Sequence, residues 1–186
     1  MPLLPLTCHP ATPADAVRRL DAEVDRRPDG LLCVTFRLVG ELDRLRIPSA
    51  GVSRLGARLW EHTCFEAFVA VADATAYHEF NFAPSGEWTV YAFAGYRDGG
   101  VLQDPTVTPG LVVRRADEQL ELAVQAALAP LSPRHRTATL RLGLSAVVEA
   151  HDGTLSYWAL RHPPGRPDFH HPDAFAVKLE PTPPAC

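Results

Sequence analysis

Apolar and polar residues alternate along most of the chain, and turn-forming residues interrupt this alternation at short intervals. Every second residue is apolar in 20–25 and again in 32–38, on either side of Asp29-Gly30. A period of two places alternate side chains on one face of a β-strand, and Asp-Gly pairs suit hairpin turns. The pattern predicts a hairpin with one buried face. A helix over 15–26 is the alternative, because a capping pattern precedes it.

Eight further segments with strand-like composition follow the hairpin, and turn signals such as Ser85-Gly86, Asp98-Gly99-Gly100 and Asp152-Gly153 lie between them. Short strands at regular spacing are typical of all-β sandwiches and barrels. We therefore expect an antiparallel two-sheet β-sandwich, jelly-roll or immunoglobulin-like, with about nine or ten strands and little helix. The eight segments are 63–71, 77–82, 87–94, 111–115, 120–128, 137–149, 154–160 and 174–179.

Length and composition fit one globular domain. The chain has 186 residues, of which 46% are hydrophobic and 22% charged, with no internal repeat or linker. We expect a single domain over 1–186, with its core in 10–180 and a frayed tail in 181–186. The net charge of -4 provides no basic field, so nucleic acid is not an expected partner. The oligomeric state stays open.

The start of the chain lacks a basic segment, and Pro5 interrupts its short apolar run. No stretch reaches about 18 uninterrupted apolar residues, so neither a membrane span nor a membrane partner is expected. The expected location is the cytoplasm. The four cysteines, which form no C-x-x-C pair, are expected to be free thiols. They are Cys8, Cys33, Cys64 and Cys186.

The segment from Trp60 to Arg97 has the densest mixture of aromatic and polar residues. Alternation places Cys64, Glu66 and Phe68 on one face of their strand, and places Tyr77, Glu79 and Asn81 together on the next. Burying a carboxylate without a partner costs several kcal/mol, so this face is either paired or an open ligand cleft. A sheet face in water, with Arg97 pairing a glutamate, would also fit the pattern. The predicted ligand-binding residues here are Trp60, Cys64, Glu66, Tyr77, Glu79, Asn81, Trp88, Tyr91 and Arg97.

A second cluster lies near the C-terminus, where three histidines and one aspartate fall within ten residues, 162–171. His170 and His171 are adjacent and would point in opposite directions on a strand, which disfavours a metal site. The segment could instead be a loop that ties down its own backbone, or a loop that closes over the cleft. If the loop closes over the cleft, four residues join the predicted ligand-binding set: Trp158, Arg161, Asp168 and His170. No metal or cofactor is predicted.

Catalysis is an alternative to binding. Glu66 and Glu79 resemble the paired carboxylates of glycoside hydrolysis. Cys64 and His62 could form a nucleophile and base, but no third residue that would orient the histidine is evident. Nucleotide-binding and serine-hydrolase motifs are missing from the sequence.

Five segments of the chain resemble bacterial DOMON-like proteins, a group related to family 9 carbohydrate-binding modules. They are 59–68, 77–88, 91–97, 157–160 and 167–170, and the likeness spans about 10–179. The resemblance implies a β-sandwich with a ligand pocket at one sheet and a role that is usually not catalytic. Relatives bind sugars or haem.

For a sugar, the resemblance implies that aromatic side chains clamp the ring while polar side chains bind its hydroxyls. The first group would be Trp60, Trp88 and Trp158, and the second Glu66, Glu79, Asn81 and Arg97. For haem, Met1 is the only methionine, which leaves two histidines, or a histidine and a lysine, as axial ligands. The leading hypothesis is a non-catalytic domain for a small polar ligand such as a sugar or sugar derivative. An enzyme using Glu66 and Glu79 on a carbohydrate or related ester comes second, and haem binding third.

Overall fold

The computed structural model describes residues 3–104 and 106–181, and most regular structure in these ranges is β-strand. The only α-helix of these ranges, α1 (Arg134–Thr137), has four residues, and three 3-10 turns accompany it. The prediction of an all-β chain with little helix is confirmed. The thirteen strands of these ranges are β1 (Leu4–Cys8), β2 (Val17–Arg26), β3 (Leu31–Gly40), β4 (Arg54–Leu55), β5 (Cys64–Val71), β6 (Tyr77–Phe82), β7 (Glu87–Gly95), β8 (Asp98–Val101), β9 (Gly110–Arg115), β10 (Gln119–Ala127), β11 (Leu140–Glu149), β12 (Leu155–Ala159) and β13 (Val177–Leu179).

The strands form one curled sheet in the order β4-β7-β6-β5-β11-β12-β1-β2-β3-β10-β9. Strand β1 joins its two halves, because Leu4 to Leu6 pair with β2 while Thr7 and Cys8 pair with β12. The expected division into two separate sheets is therefore corrected to one continuous sheet whose halves face each other. The described residues also hold more than the expected nine or ten strands, because β1, β4 and β8 are not evident from the alternation.

The hydrophobic core lies between the two halves of the curled sheet. The rings of Phe36 on β3 and Phe65 on β5 are 5.2 Å apart across this core. All eight residues of β5 are buried, since its other face is also covered. The chain after β12 covers that other face, where Phe169 and Phe175 pack in a cluster with Phe68. We call this face of the sheet, which is turned away from the hydrophobic core, the outer face.

The region between β7 and β8 differs from the sequence prediction. A turn is predicted at 98–100, but the chain turns at Tyr96 and Arg97, where Arg97 has a φ of 54°. Gly99 instead lies in β8, and a Cβ on it would be 2.0 Å from the Ala92 carbonyl oxygen. Glycine therefore allows a close strand approach here rather than a turn.

The helix predicted as an alternative over 15–26 is not formed, since Val17–Arg26 is strand β2. None of the helices in the described ranges has the length and apolar character that crossing a membrane requires. Cys8, Cys33 and Cys64 are free thiols, while Cys186 and most of the predicted frayed tail lie outside the described residues.

Candidate functional site

A cavity of about 390 Å³ opens on the outer face, between strands β5 to β8 and the chain that follows β12. Its residues come from distant parts of the sequence, and the curled sheet brings them together. The described lining residues are Trp60, Glu66, Glu79, Tyr91, Phe93, Arg97, Gly99, Gly100, Val147, Tyr157, Pro167, Phe169 and His170.

Glu66 and Glu79 lie on neighbouring antiparallel strands, where Glu66 pairs with Asn81 and Glu79 pairs with Phe68. This register makes the two glutamates diagonal neighbours on one face, as the alternation predicted. Only 2% of Glu66 and 6% of Glu79 are exposed. The Ser145 hydroxyl donates to Glu66 Oε2 at 3.1 Å, and Asn81 Nδ2 donates to Glu79 Oε1 at 2.6 Å.

The protonation of the two glutamates follows from this burial. Burial raises the pKa of Glu66 well above its usual value, and the nearby charge of Glu79 raises it further. Burial also raises the pKa of Glu79 to about 7, against the opposing effects of Asn81 and Arg97. The pair therefore retains a proton at neutral pH, so it can both donate and accept hydrogen bonds.

Aromatic rings form the walls of the cavity. Trp60 stands at its mouth, where it is 39% exposed, and its ring meets the Tyr91 ring edge-on at 5.5 Å. Phe93 stands two residues beyond Tyr91 on the same face of β7, while Tyr157 and Phe169 come from β12 and the loop after it. The cavity therefore combines flat apolar surfaces with two buried carboxyl groups.

The chain after β12 closes over the cavity through His170 and Asp168. Tyr77 Oη lies 2.8 Å from His170 Nδ1 and accepts a hydrogen bond from the Arg97 backbone N–H at 3.1 Å. The Arg97 guanidinium pairs with Asp168 at 2.9 Å, and the Tyr96 hydroxyl donates to the same carboxylate at 2.7 Å. Burial first, and Arg97 second, lower the pKa of His170 to about 4, so its imidazole is neutral at neutral pH.

The sequence-predicted residues fall into three groups. The first group lines the cavity, the second supports it from behind or beside, and the third lies away from it. The first is Trp60, Glu66, Glu79, Tyr91, Arg97 and His170; the second is Cys64, Tyr77, Asn81 and Asp168; the third is Trp88, Trp158 and Arg161.

The two tryptophans of the third group belong to the hydrophobic core, on the opposite face from the cavity. Trp88 pairs with the core residue Phe82 across β6 and β7. Trp158 is buried and its Nε1 donates to the Ser156 hydroxyl at 3.0 Å. Arg161 is exposed. Of the three tryptophans expected to clamp a sugar ring, Trp88 and Trp158 therefore lie outside this cavity, and Trp60 lines it together with tyrosine and phenylalanine rings.

Sequence reasoning missed several lining or supporting residues, notably Phe93, Ser145, Tyr157 and Phe169. Phe93 could have been found, because it shares the alternation of Tyr91. The adjacent Tyr157 and Trp158 are both aromatic, so composition does not tell which one faces the core. Ser145 reaches Glu66 only because β11 pairs with β5.

Cys64 and His62 do not form a nucleophile and base. Cys64 is fully buried, with its thiol 3.4 Å from Asn81 Oδ1, and burial raises the pKa of that thiol well above its usual value. His62 follows a 3-10 turn instead of lying in a strand, and its Nδ1 is 2.7 Å from Glu149 Oε2. The two side chains therefore have separate partners.

The described residues offer no grouping of three His, Cys, Asp or Glu side chains suited to a metal ion. Haem also fits the cavity poorly. His170 is the one histidine among the described lining residues, no lysine accompanies it, and its ring nitrogens face Tyr77 Oη at 2.8 Å and Glu79 Oε2 at 3.6 Å.

A larger cavity of about 640 Å³ lies at the end of β11. The buried acidic residue among its described lining residues, Glu149, already has two partners, Arg46 at 3.0 Å and His62 at 2.7 Å. None of the described residues that line it is Phe, Tyr or Trp. The cavity on the outer face, with its rings and buried glutamates, is therefore the better candidate for ligand binding.

The sequence matches no protein-family model and no curated protein. Among solved structures, the chain is similar to a Bacteroides uniformis protein proposed to bind carbohydrate, with a TM-score of 0.67, 14% identity, and coverage of 93% of this chain and 83% of that one. It is also similar to a family 9 carbohydrate-binding module from Caldicellulosiruptor kristjanssonii in complex with glucose, with a TM-score of 0.53, 8% identity, and coverage of 88% and 76%. The chain therefore shares the fold of a family 9 carbohydrate-binding module.

Proposed function

We propose that the cavity on the outer face binds carbohydrate, and that the protein is a non-catalytic domain for a small sugar or sugar derivative. The observation that carries this proposal is the pairing of aromatic walls with two buried carboxyl groups in one cavity. Ligand sites are mostly apolar pockets in which a few placed polar groups give orientation and specificity. The shared fold supports the proposal, since one protein with that fold holds glucose.

In this proposal the exposed Trp60 ring packs against the apolar face of the sugar at the cavity mouth. Glu79 accepts hydrogen bonds from hydroxyl groups, while Glu66, which burial keeps protonated, is able to donate. Arg97 lines the same cavity and adds N–H donors. Membership of the bacterial DOMON-like group and a cytoplasmic location stay predictions.

Calorimetric titration with a panel of mono- and disaccharides tests this function. We expect saturable binding of at least one sugar, and Trp60→Ala should weaken it about tenfold, in line with the loss of an aromatic contact. Leu55→Ala is the matched control, because Leu55 is an exposed apolar residue of β4 that does not line the cavity. Failure of every sugar to bind would refute the proposal.

Hydrolysis of a glycoside or sugar ester is a second candidate, and the burial of both glutamates favours it. A general acid needs a raised pKa, which burial provides at Glu66 and Glu79. Nitrophenyl glycosides and esters test this candidate. Product release that stops in both Glu66→Gln and Glu79→Gln would establish catalysis, whereas no release by the wild type would rule it out for these substrates.

A further inference from the structure

The acidic residues buried in the described ranges differ in how their charge is balanced. Asp21 is 2.6 Å from the Arg19 guanidinium, and Glu149 is 3.0 Å from that of Arg46. Such pairing is the usual condition for burying a carboxylate. The other two buried acidic residues, Glu66 and Glu79, have no lysine or arginine of the described ranges within ion-pair distance.

Each of these glutamates also has one oxygen left for a ligand. Ser145 donates to Glu66 Oε2 and Asn81 donates to Glu79 Oε1. Within the described ranges Glu66 Oε1 accepts no hydrogen bond, and Glu79 Oε2 faces only the neutral imidazole of His170 at 3.6 Å. Both side chains line the cavity, so these two oxygens are the unpartnered polar groups of its floor.

Arg97 does not supply the missing positive charge. Its guanidinium is paired with Asp168 at 2.9 Å, and that carboxylate is held by the Tyr96 hydroxyl at 2.7 Å and the His170 backbone N–H at 3.1 Å. These contacts hold Arg97 against the loop, and although its charge lowers the pKa of both glutamates, burial raises both by more. Two buried acidic groups therefore remain without a cation of the described ranges at ion-pair distance, inside aromatic walls that themselves attract cations.

We propose, resting on the carbohydrate-binding function, that the preferred ligand is a sugar bearing a primary ammonium group, bound between Glu66 and Glu79. An ammonium group has three N–H donors, enough to reach the free oxygen of each glutamate. Its charge supplies the cation that the cavity floor lacks, while Trp60 and Tyr91 contact the rest of the sugar. A sugar with a hydroxyl at that position can donate to the free glutamate oxygens, but it brings no positive charge to balance the carboxylates. A sugar with an acetamido group there is also neutral.

Proton balance follows from the same arrangement. An ammonium favours the ionised forms of both glutamates, so its binding releases to solvent the proton that the pair holds. Affinity for the amino sugar should therefore fall as pH drops below about 7, whereas neutral sugars should show a weaker dependence. The titratable and charged groups around the pair are Cys64, Tyr77, Tyr91, Arg97, Asp168 and His170.

Calorimetry with matched sugar sets tests this inference at about pH 7.5, just above the pKa of Glu79. Each set holds one sugar as the amine, the hydroxyl and the acetamido form, in the gluco, galacto and manno series. We expect the amine to bind at least about tenfold more tightly than its two partners in one series, as a charge-assisted hydrogen bond allows. Glu79→Gln and Glu66→Gln should abolish this preference. Glu121→Gln, on the other half of the sheet, should retain it.

The outcomes separate this inference from the proposed function. If the neutral sugar binds and its amine form binds equally well or more weakly, the ammonium inference is overturned and carbohydrate binding stays intact. If Glu66→Gln and Glu79→Gln both keep the preference for the amine form, the ammonium inference is overturned as well. Circular dichroism checks that each variant is folded. Binding of cyclohexylammonium with no response to any sugar would instead refute the carbohydrate function. No response to any probe would refute both.

Discussion

Replacing Glu79 with glutamine should stabilise the ligand-free protein at alkaline pH and change its stability little near pH 4.5. Burial raises the pKa of Glu79 from 4.5 to about 7 in the folded protein. Between these values the unfolded chain binds fewer protons than the folded one, so the free energy of unfolding falls as pH rises. The stability that Glu79 contributes through its raised pKa is fully present below pH 4.5 and is lost as pH rises through about 7.

The size of the effect follows from the same pKa. At 1.36 kcal/mol per pKa unit, a rise from 4.5 to about 7 corresponds to about 3 kcal/mol. Glutamine is neutral throughout, and its carbonyl can still accept the hydrogen bond from Asn81 Nδ2. We therefore expect Glu79→Gln to exceed the wild type by up to about 3 kcal/mol at about pH 8.

Urea unfolding at several pH values, followed through the fluorescence of the buried Trp88 and Trp158, measures this difference. Glu121→Gln is a control of opposite sign, because a hydrogen bond from Arg37 lowers the pKa of Glu121. That variant should lose stability at neutral pH and approach the wild type as pH falls. Parallel pH profiles for Glu79→Gln and the wild type, or a less stable variant at about pH 8, would refute the reasoning.

Three further predictions concern packing. Trp158→Ala should lower the free energy of unfolding by about 3–5 kcal/mol, since it leaves a cavity in the core; a loss below about 1 kcal/mol in urea would contradict that placement. Gly99→Ala should cost more than about 1 kcal/mol, because the new Cβ would lie 2.0 Å from a β7 carbonyl oxygen, whereas Gly100→Ala meets nothing within 4 Å; equal melting temperatures would contradict this. The buried Cys64 should react with iodoacetamide more slowly than the partly buried Cys33, and equal rates in peptide mass spectra would contradict the burial.

Strands with strong alternation were predictable, and those without it were not. Strand β3 has a buried residue at every second position, so its period is visible in the sequence. Strand β1 has only five residues with a proline among them, and all of β8 is exposed and glycine-rich. Neither shows a period. The pairing of β1 with both β2 and β12, which joins the halves of the sheet, therefore could not be predicted.

The sequence by itself determined an all-β chain and the grouping of Glu66 with Cys64 and of Glu79 with Asn81, because side chains alternate in any strand. Only the tertiary structure decided which of those faces would meet the core. It placed Trp158 in the core and brought Ser145 to Glu66 across a sequence separation of 79 residues. Such contacts depend on strand register and on the curl of the sheet, which no local pattern encodes. Strand register and the curl of the sheet also leave the two glutamates buried without a paired cation among the described residues, and the proposed choice of ligand depends on this.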